Sequence, residues 1–155
     1  MQEELMRVAI GLSIENVRSG RGGPFAAVVA KDGTVIGRGV NLVTATNDPT
    51  AHAEVAAIRA ACRALGSFQL ADCELYTTCE PCPMCLGAIY WARLARYYYG
   101  NTRADAARIG FDDARIYQEL ARLPEERAVP GVRLLSHEAA EAFKEWMRAP
   151  VKVPY

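Results

Sequence analysis

At 155 residues, 51% of them hydrophobic and 23% charged, the chain has the size and composition of about one globular domain, able to bury a core without disulfide staples. Its 18 Lys and Arg balance 18 Asp and Glu, so no broad basic field exists to hold a phosphate backbone, and the balance leans towards a small-molecule substrate. No apolar run approaches the ~20 residues of a membrane span, and the amino terminus lacks a basic segment followed by an apolar one, so the expected location is cytoplasmic.

Leu5, Val8, Ala9 and Leu12 recur at helical spacing and predict a helix from Glu3 to Ser19, ended by Gly20. Gly22-Gly-Pro24 breaks the chain. The runs Phe25 to Ala30 and Val35 to Val40 then read as a hairpin with its turn at Asp32-Gly33. Asn41 stands at the second strand's exit. Asp48-Pro-Thr50 is a capping cluster before an alanine-rich helix, Ala51 to Leu65, stopped by Gly66, which puts His52 and Glu54 in its first turn. Cys73 to Thr78 reads as a strand, and Pro81 and Pro83 open a helix from Met84 to Ala92. Leu94 to Tyr99 makes the next strand, Asp112 to Ala121 a helical patch, Val132 to Ser136 a fifth strand, and Glu138 to Arg148 a last helix. The alternation argues an α/β fold: a three-layer α-β-α domain spanning 1–155, with a central five-stranded mixed sheet flanked by helices.

Two motifs carry chemistry. His52-Ala-Glu54 is followed by Cys79-Glu-Pro-Cys-Pro-Met-Cys85. His52, Cys82 and Cys85 offer one imidazole and two thiolates, three ligands for a Zn2+ whose fourth tetrahedral position is left to water, as in catalytic zinc sites. Both ligand groups fall at helix amino ends, where unpaired N–H groups and the positive end of the dipole favour thiolates. Glu54, two positions from the histidine and not needed as a ligand, is placed to take the proton of that water. The pairing matches the known signature of zinc nucleobase deaminases. Cys-x-x-Cys by itself also fits a redox pair, which leaves His52 and Glu54 without a use, and Cys79 offers a fourth ligand for a purely structural zinc. Five cysteines are an odd number, and free or metal-bound thiols fit a reducing compartment; Cys62, Cys73 and Cys79 read as core residues. His137, with no cysteine near it in sequence, reads as a surface or capping residue.

On these residues the chain resembles the cytidine deaminase-like superfamily of zinc hydrolases, and within it the short bacterial guanine deaminases. Asn47 to Glu54 and Glu80 to Ile89 are shared in style with tRNA adenosine deaminases. Gly22-Gly-Pro-Phe25, Tyr90-Trp-Ala-Arg93, Gly110-Phe-Asp-Asp113 and the terminal Tyr155 look like the guanine branch. The resemblance implies one zinc per subunit, attack of activated water on carbon 2 of guanine, proton transfer through Glu54 to an adjacent ring nitrogen, and release of xanthine and ammonia. Backbone N–H groups at Ala53 and Cys82 can stabilise the developing charge. Asn41 suits the purine edge, although it equally suits a turn. Asp113 is implied to bind the Watson–Crick N–H groups and relay a proton to the departing amine, and Asp112-Asp113 also reads as a helix cap. Phe25 and Trp91 are expected as pocket walls, with core packing as the plain alternative. The resemblance further implies a homodimer in which 138–155 swap onto the partner and Tyr155 closes its site. Two other substrate classes share the zinc motifs: tRNA adenosine, which needs a basic surface whereas Arg59, Arg63, Arg93, Arg96, Arg103 and Arg108 are scattered among acids, and small rings such as guanosine or aminotriazines. A zinc-stabilised interaction module is the reading outside enzymes.

Overall fold

The computed structural model describes all 155 residues, which divide into two compact units, Met1–Asp113 and Ala114–Tyr155. The first opens with helix α1 (Gln2–Arg18), which buries Leu5, Ala9, Ser13 and Asn16 along one face, with Glu3 and Glu4 at its amino end and Arg18 at its carboxyl end, both favourable to its dipole. Strands β1 (Ala26–Lys31) and β2 (Thr34–Val40) form the expected hairpin. Asp32 (φ 48°) and Gly33 (φ 76°) are both left-handed, as a two-residue turn of the twist-matched type requires. After a short helix α2 (Val43–Thr46) come α3 (Ala53–Leu65), β3 (Cys73–Cys79), α4 (Pro83–Trp91), β4 (Arg96–Asn101) and α5 (Arg103–Arg108).

The sheet order is β2-β1-β3-β4, antiparallel except for the β3–β4 pair, which α4 connects. Alternate residues of β1 serve opposite layers. Ala27 and Val29 pack with Leu75 against Ala53, Ala57, Ile58 and Ala61 of α3 and Ile89 of α4. Val28 and Ala30 pack with Tyr76 against Leu5 and Ala9 of α1. A strand buried on both faces reads as a continuous apolar run, which Ala26 to Ala30 is.

Two glycines set how closely α3 lies on the sheet. A Cβ at Gly37 would stand 2.5 Å from the Ala57 carbonyl oxygen, and one at Gly39 would overlap the Ala53 carbonyl. The Gly37-Arg-Gly39 stretch of β2 therefore lets the helix backbone rest on the strand itself, with small Ala53, Ala57 and Ala61 completing the fit. The start of α3, and with it His52, is held at a fixed height over the sheet.

Several expectations need correction. The sheet has four strands and not five: Val132 to Leu135 have no strand partner, Leu135 turns left-handed (φ 49°), and Ser136 already begins a helix. An alternating apolar run is a strand only if another strand supplies its ladder, which sequence pattern does not reveal. The first helix runs Gln2–Arg18 and α3 begins at Ala53, two residues later than expected. Asp48 caps nothing; its Oδ1 accepts from Thr50 N at 2.8 Å and Thr50 Oγ1 at 2.6 Å, closing a local turn. Helix α5 lies outside the predicted elements, though Thr102 and Asp105 form a reciprocal capping box at its start.

The second unit contains α6 (Ala114–Leu120), a single 3-10 turn (Pro124–Glu126) and α7 (Ser136–Arg148). Arg127 Nε donates to Glu119 O at 3.2 Å and Gly131 N to Pro124 O at 2.8 Å. Neither α6 nor α7 has a buried residue, and Val129, Val132, Leu134, Phe143 and Met147 are all more than 70% exposed.

Candidate active site

Two neighbouring helix amino termini build the centre of the site. His52 is the N-cap of α3 and Cys82 the N-cap of α4, both with extended backbone, and Cys85 lies in the first turn of α4 after Pro83. His52 Nδ1 stands 3.5 Å from Cys82 Sγ and 3.5 Å from Cys85 Sγ. Zinc–sulfur bonds of about 2.3 Å and zinc–nitrogen bonds of about 2.0 Å, meeting at a tetrahedral angle, separate the two donor atoms by about 3.5 Å. The three residues therefore fit a tetrahedral zinc with one position left over, and they form a group able to hold a metal ion. Cys79 does not close that group: its Sγ is directed to the Thr102 carbonyl at 3.7 Å, and burial pushes its thiol up to about 11.

The electrostatics are those of a proton shared between two thiols. Donation from the Cys85 thiol, with a smaller part from His52, holds Cys82 down to about 4, while Cys85 is pushed up as the thiol that keeps the proton. The Cys82 contact likewise raises His52. A metal ion in the cluster removes that shared proton, since a coordinating thiol is deprotonated outright.

Glu54 follows in the first turn of α3, 6% exposed. Its Oε2 lies 3.4 Å from Cys85 Sγ and its Oε1 accepts from Thr77 Oγ1 at 3.2 Å. Burial raises its pKa above the usual carboxylate range, the direction that suits a group which must both accept and return a proton near neutrality.

In front of these groups lies a cavity of about 390 Å³, lined among others by Phe25, Asn41, His52, Glu54, Phe111 and Asp113. That volume falls in the ~300–1,000 Å³ range of small-molecule sites. Phe25 meets Phe111 edge to face, ring centroids 4.8 Å apart. Asn41 is 8% exposed; its Oδ1 accepts from Val43 N at 3.3 Å, so the turn role is real, while its amide NH2 has no protein partner. Asp113 lies at the cavity wall, its pKa raised mainly by burial and next by the Cys82 thiolate. Ala53 is fully buried in the lining, in the first turn of α3, where N–H groups have no intrahelical partner.

One expected residue stands elsewhere. Trp91 is 61% exposed and absent from the cavity lining. It ends α4, and six residues at 1.5 Å each carry it about 9 Å along the helix from Cys85. Tyr155 ends the second unit, 73% exposed. Conversely, Phe111, Glu80 and Arg103 line the cavity although none was expected as a site residue. Glu80 accepts from the Arg103 backbone N at 3.1 Å and pairs with its side chain at 3.1 Å, tying β3's exit to the start of α5. The available signals are Glu80's place between Cys79 and Cys82 and Phe111's place inside Gly110-Phe-Asp-Asp113.

Comparison with known proteins agrees with this geometry. The family model of the cytidine and deoxycytidylate deaminase zinc-binding region matches residues 1–101. A guanine deaminase of Bacillus subtilis (strain 168) is 51% identical over 153 residues, covering 99% of this chain and 98% of that protein. A tRNA-specific adenosine deaminase of Agrobacterium fabrum is 53% identical, but over 77 residues, 50% of this chain and 51% of its own length. The X-ray structure of guanine deaminase from Bacillus subtilis superposes with a TM-score of 0.97 at 50% identity, covering 100% of this chain and 99% of that one.

Proposed function

Since the chain belongs to the cytidine and deoxycytidylate deaminase zinc-binding family, we propose that it is a zinc-dependent aminohydrolase that converts guanine to xanthine and ammonia. The observation that carries guanine over other aminated rings is the extent of the likeness. The guanine deaminase matches almost end to end at 51% identity, through the region of Phe111 and Asp113, whereas tRNA-specific adenosine deaminases match either half the chain, as in Agrobacterium fabrum, or more of it at lower identity, as in Haemophilus influenzae at 36% over 76% of the chain.

His52, Cys82 and Cys85 hold the zinc, one per subunit. When bound there, it supplies the Lewis acidity that brings a water molecule's pKa towards neutrality. Glu54 takes the proton of the attacking water at Oε2 and returns it to the ring nitrogen next to carbon 2. The water oxygen bonds to carbon 2; as the carbonyl forms, the remaining proton of that oxygen passes to the exocyclic nitrogen, the bond from carbon 2 to that nitrogen breaks, and ammonia leaves. Asp113 accepts from the N–H groups of the guanine edge and relays a proton to the departing amine, a role helped by its raised pKa. Asn41 presents its amide NH2 to the opposite side of the base, Phe25 and Phe111 flank it, and the Ala53 N–H group faces developing negative charge.

The active species in this reading is a homodimer in which the carboxy-terminal helix and tail, 138–155, dock on the partner and Tyr155 closes the partner's cavity. Its support is the second unit's unburied apolar surface, which a single chain leaves in water. A cytoplasmic location is supported by five cysteines free of disulfides; no helix is long and apolar enough to cross a membrane. Ammonia release from guanine, guanosine, adenine, cytosine and cytidine by the zinc-loaded protein tests the substrate. Guanine is expected to be strongly preferred, and preference for another ring overturns the assignment.

A further inference from the structure

Thr77 is 1% exposed on β3, on the sheet face otherwise built from Ala27, Val29 and Leu75. It pairs with Ala27 on one side and Tyr99 on the other. A β-branched side chain suits a strand, but valine would suit it equally without burying a hydroxyl, which costs free energy unless it is hydrogen-bonded. The hydroxyl has one acceptor, Glu54 Oε1 at 3.2 Å. The other carboxylate oxygen, Oε2, is turned towards the ligand cluster, 3.4 Å from Cys85 Sγ.

We propose that Thr77 is a positioning residue for the deamination, anchoring Glu54 Oε1 to the sheet so that Oε2 stays directed at the reacting water. The terminal torsion of a glutamate is broad and two-fold, so an unanchored carboxylate spends much of its time rotated away. Proton transfer needs the acceptor within hydrogen-bond reach, about 2.6–3.2 Å, and a rotated carboxylate forfeits it. Thr77 is not part of the cavity lining, so it acts through Glu54 and touches no substrate. The neighbouring Thr78 serves the sheet instead, its Oγ1 accepting from Ala26 N at 3.1 Å to secure the start of β1. Of the two threonines, Thr77 alone bears on the reaction.

This inference rests on the deaminase reading above, and its test separates the two. Thr77→Val keeps the shape and removes the hydroxyl, while Thr77→Ser returns it. With zinc-loaded protein and guanine, kcat is expected to fall about ten-fold in Thr77→Val, with KM within about two-fold and zinc content unchanged. Thr77→Ser is expected to recover kcat to within about two-fold. A second readout needs no activity. In zinc-free protein, the unfolding-midpoint shift of Thr77→Val combined with Glu54→Ala differs from the sum of the two single shifts, because one shared hydrogen bond is lost only once. Unaltered kcat in Thr77→Val, a Thr77→Ser protein as slow as Thr77→Val, or additive midpoint shifts each overturn the inference. A native chain that releases no ammonia from guanine sinks the deaminase reading and Thr77's part in turnover with it, and coupled midpoints then leave Thr77 a structural partner of Glu54.

Discussion

His52 Nδ1 and Cys82 Sγ lie 3.5 Å apart although 30 positions separate them in the chain. Each is the N-cap of its own helix, and neither uses its side chain to cap it. The usual capping residues, Ser, Thr, Asp and Asn, satisfy a helix's first N–H groups. Placing His52 and Cys82 there forgoes that stabilisation and leaves both side chains free to converge on a metal.

Removal of the metal is therefore expected to lower stability as well as abolish activity. Prolonged chelation should lower the unfolding midpoint by roughly 5 °C or more, since a tight ligand of the folded state alone stabilises it by mass action. Cys82→Ser should bind less than stoichiometric zinc by elemental analysis and lose all but about 1% of turnover. A Cys82→Ser protein with full zinc and full activity would remove Cys82 from the ligand set.

Glu54→Gln is expected to keep zinc and fold while losing about 10²–10⁴-fold in kcat. It should also make the zinc-free protein more stable near neutral pH. Burial raises the Glu54 pKa, so this carboxyl contributes stability below its unfolded pKa that is lost as the pH rises through the higher folded value. The glutamine side chain carries no charge to bury, so the variant's advantage should appear at neutral pH and vanish below about pH 4. Thermal melts at both pH values check the sign, and an advantage that grows in acid would contradict it.

At Gly39, alanine would drive its methyl into the Ala53 carbonyl. Gly39→Ala should cost about 1–3 kcal/mol by denaturant titration. Because the displaced backbone is the first turn of α3, zinc affinity should fall as well. Unchanged stability with unchanged zinc affinity would show that the helix can lift off the strand without consequence.

Deletion of 149–155 separates a lid from a structural tail. Turnover of guanine should drop more than about ten-fold, whereas the unfolding midpoint should move by no more than about 2 °C, because the removed residues are mostly exposed. Full turnover by the truncated protein would eliminate Tyr155 as a closing residue.

The reaction was legible in the sequence because it rests on short-range relations. His52 and Glu54 sit within one helical turn, as do Cys82 and Cys85, and the residue types alone select zinc and a proton acceptor. The hairpin was legible for a similar reason, since Asp32-Gly33 can adopt the left-handed pair its turn needs. Thr77 carried no such signal, and the motifs that contain Glu80 and Phe111 assigned neither a role. Threonine in a strand, glutamate before proline and phenylalanine in a loop acquire their meaning only from Glu54, Arg103 and Phe25, each far away along the chain. Trp91 misled in the opposite direction. Its aromatic ring suits a purine, but the axial rise of α4 carries it away from the cavity.

By itself, then, the sequence determined the metal-binding chemistry: a histidine and two cysteines able to hold zinc, with a carboxylate beside them, set by local spacing and intrinsic ligand preference. Tertiary structure decided everything that depends on two segments meeting. It brought His52 to within 3.5 Å of both cysteine sulfurs, placed Phe25, Asn41, Phe111 and Asp113 around one cavity, and left Val132 to Leu135 without the partner that would have made them a strand. A ligand's chemistry travels with its residue, whereas a pocket or a ladder exists only once packing has settled which distant segments share a surface.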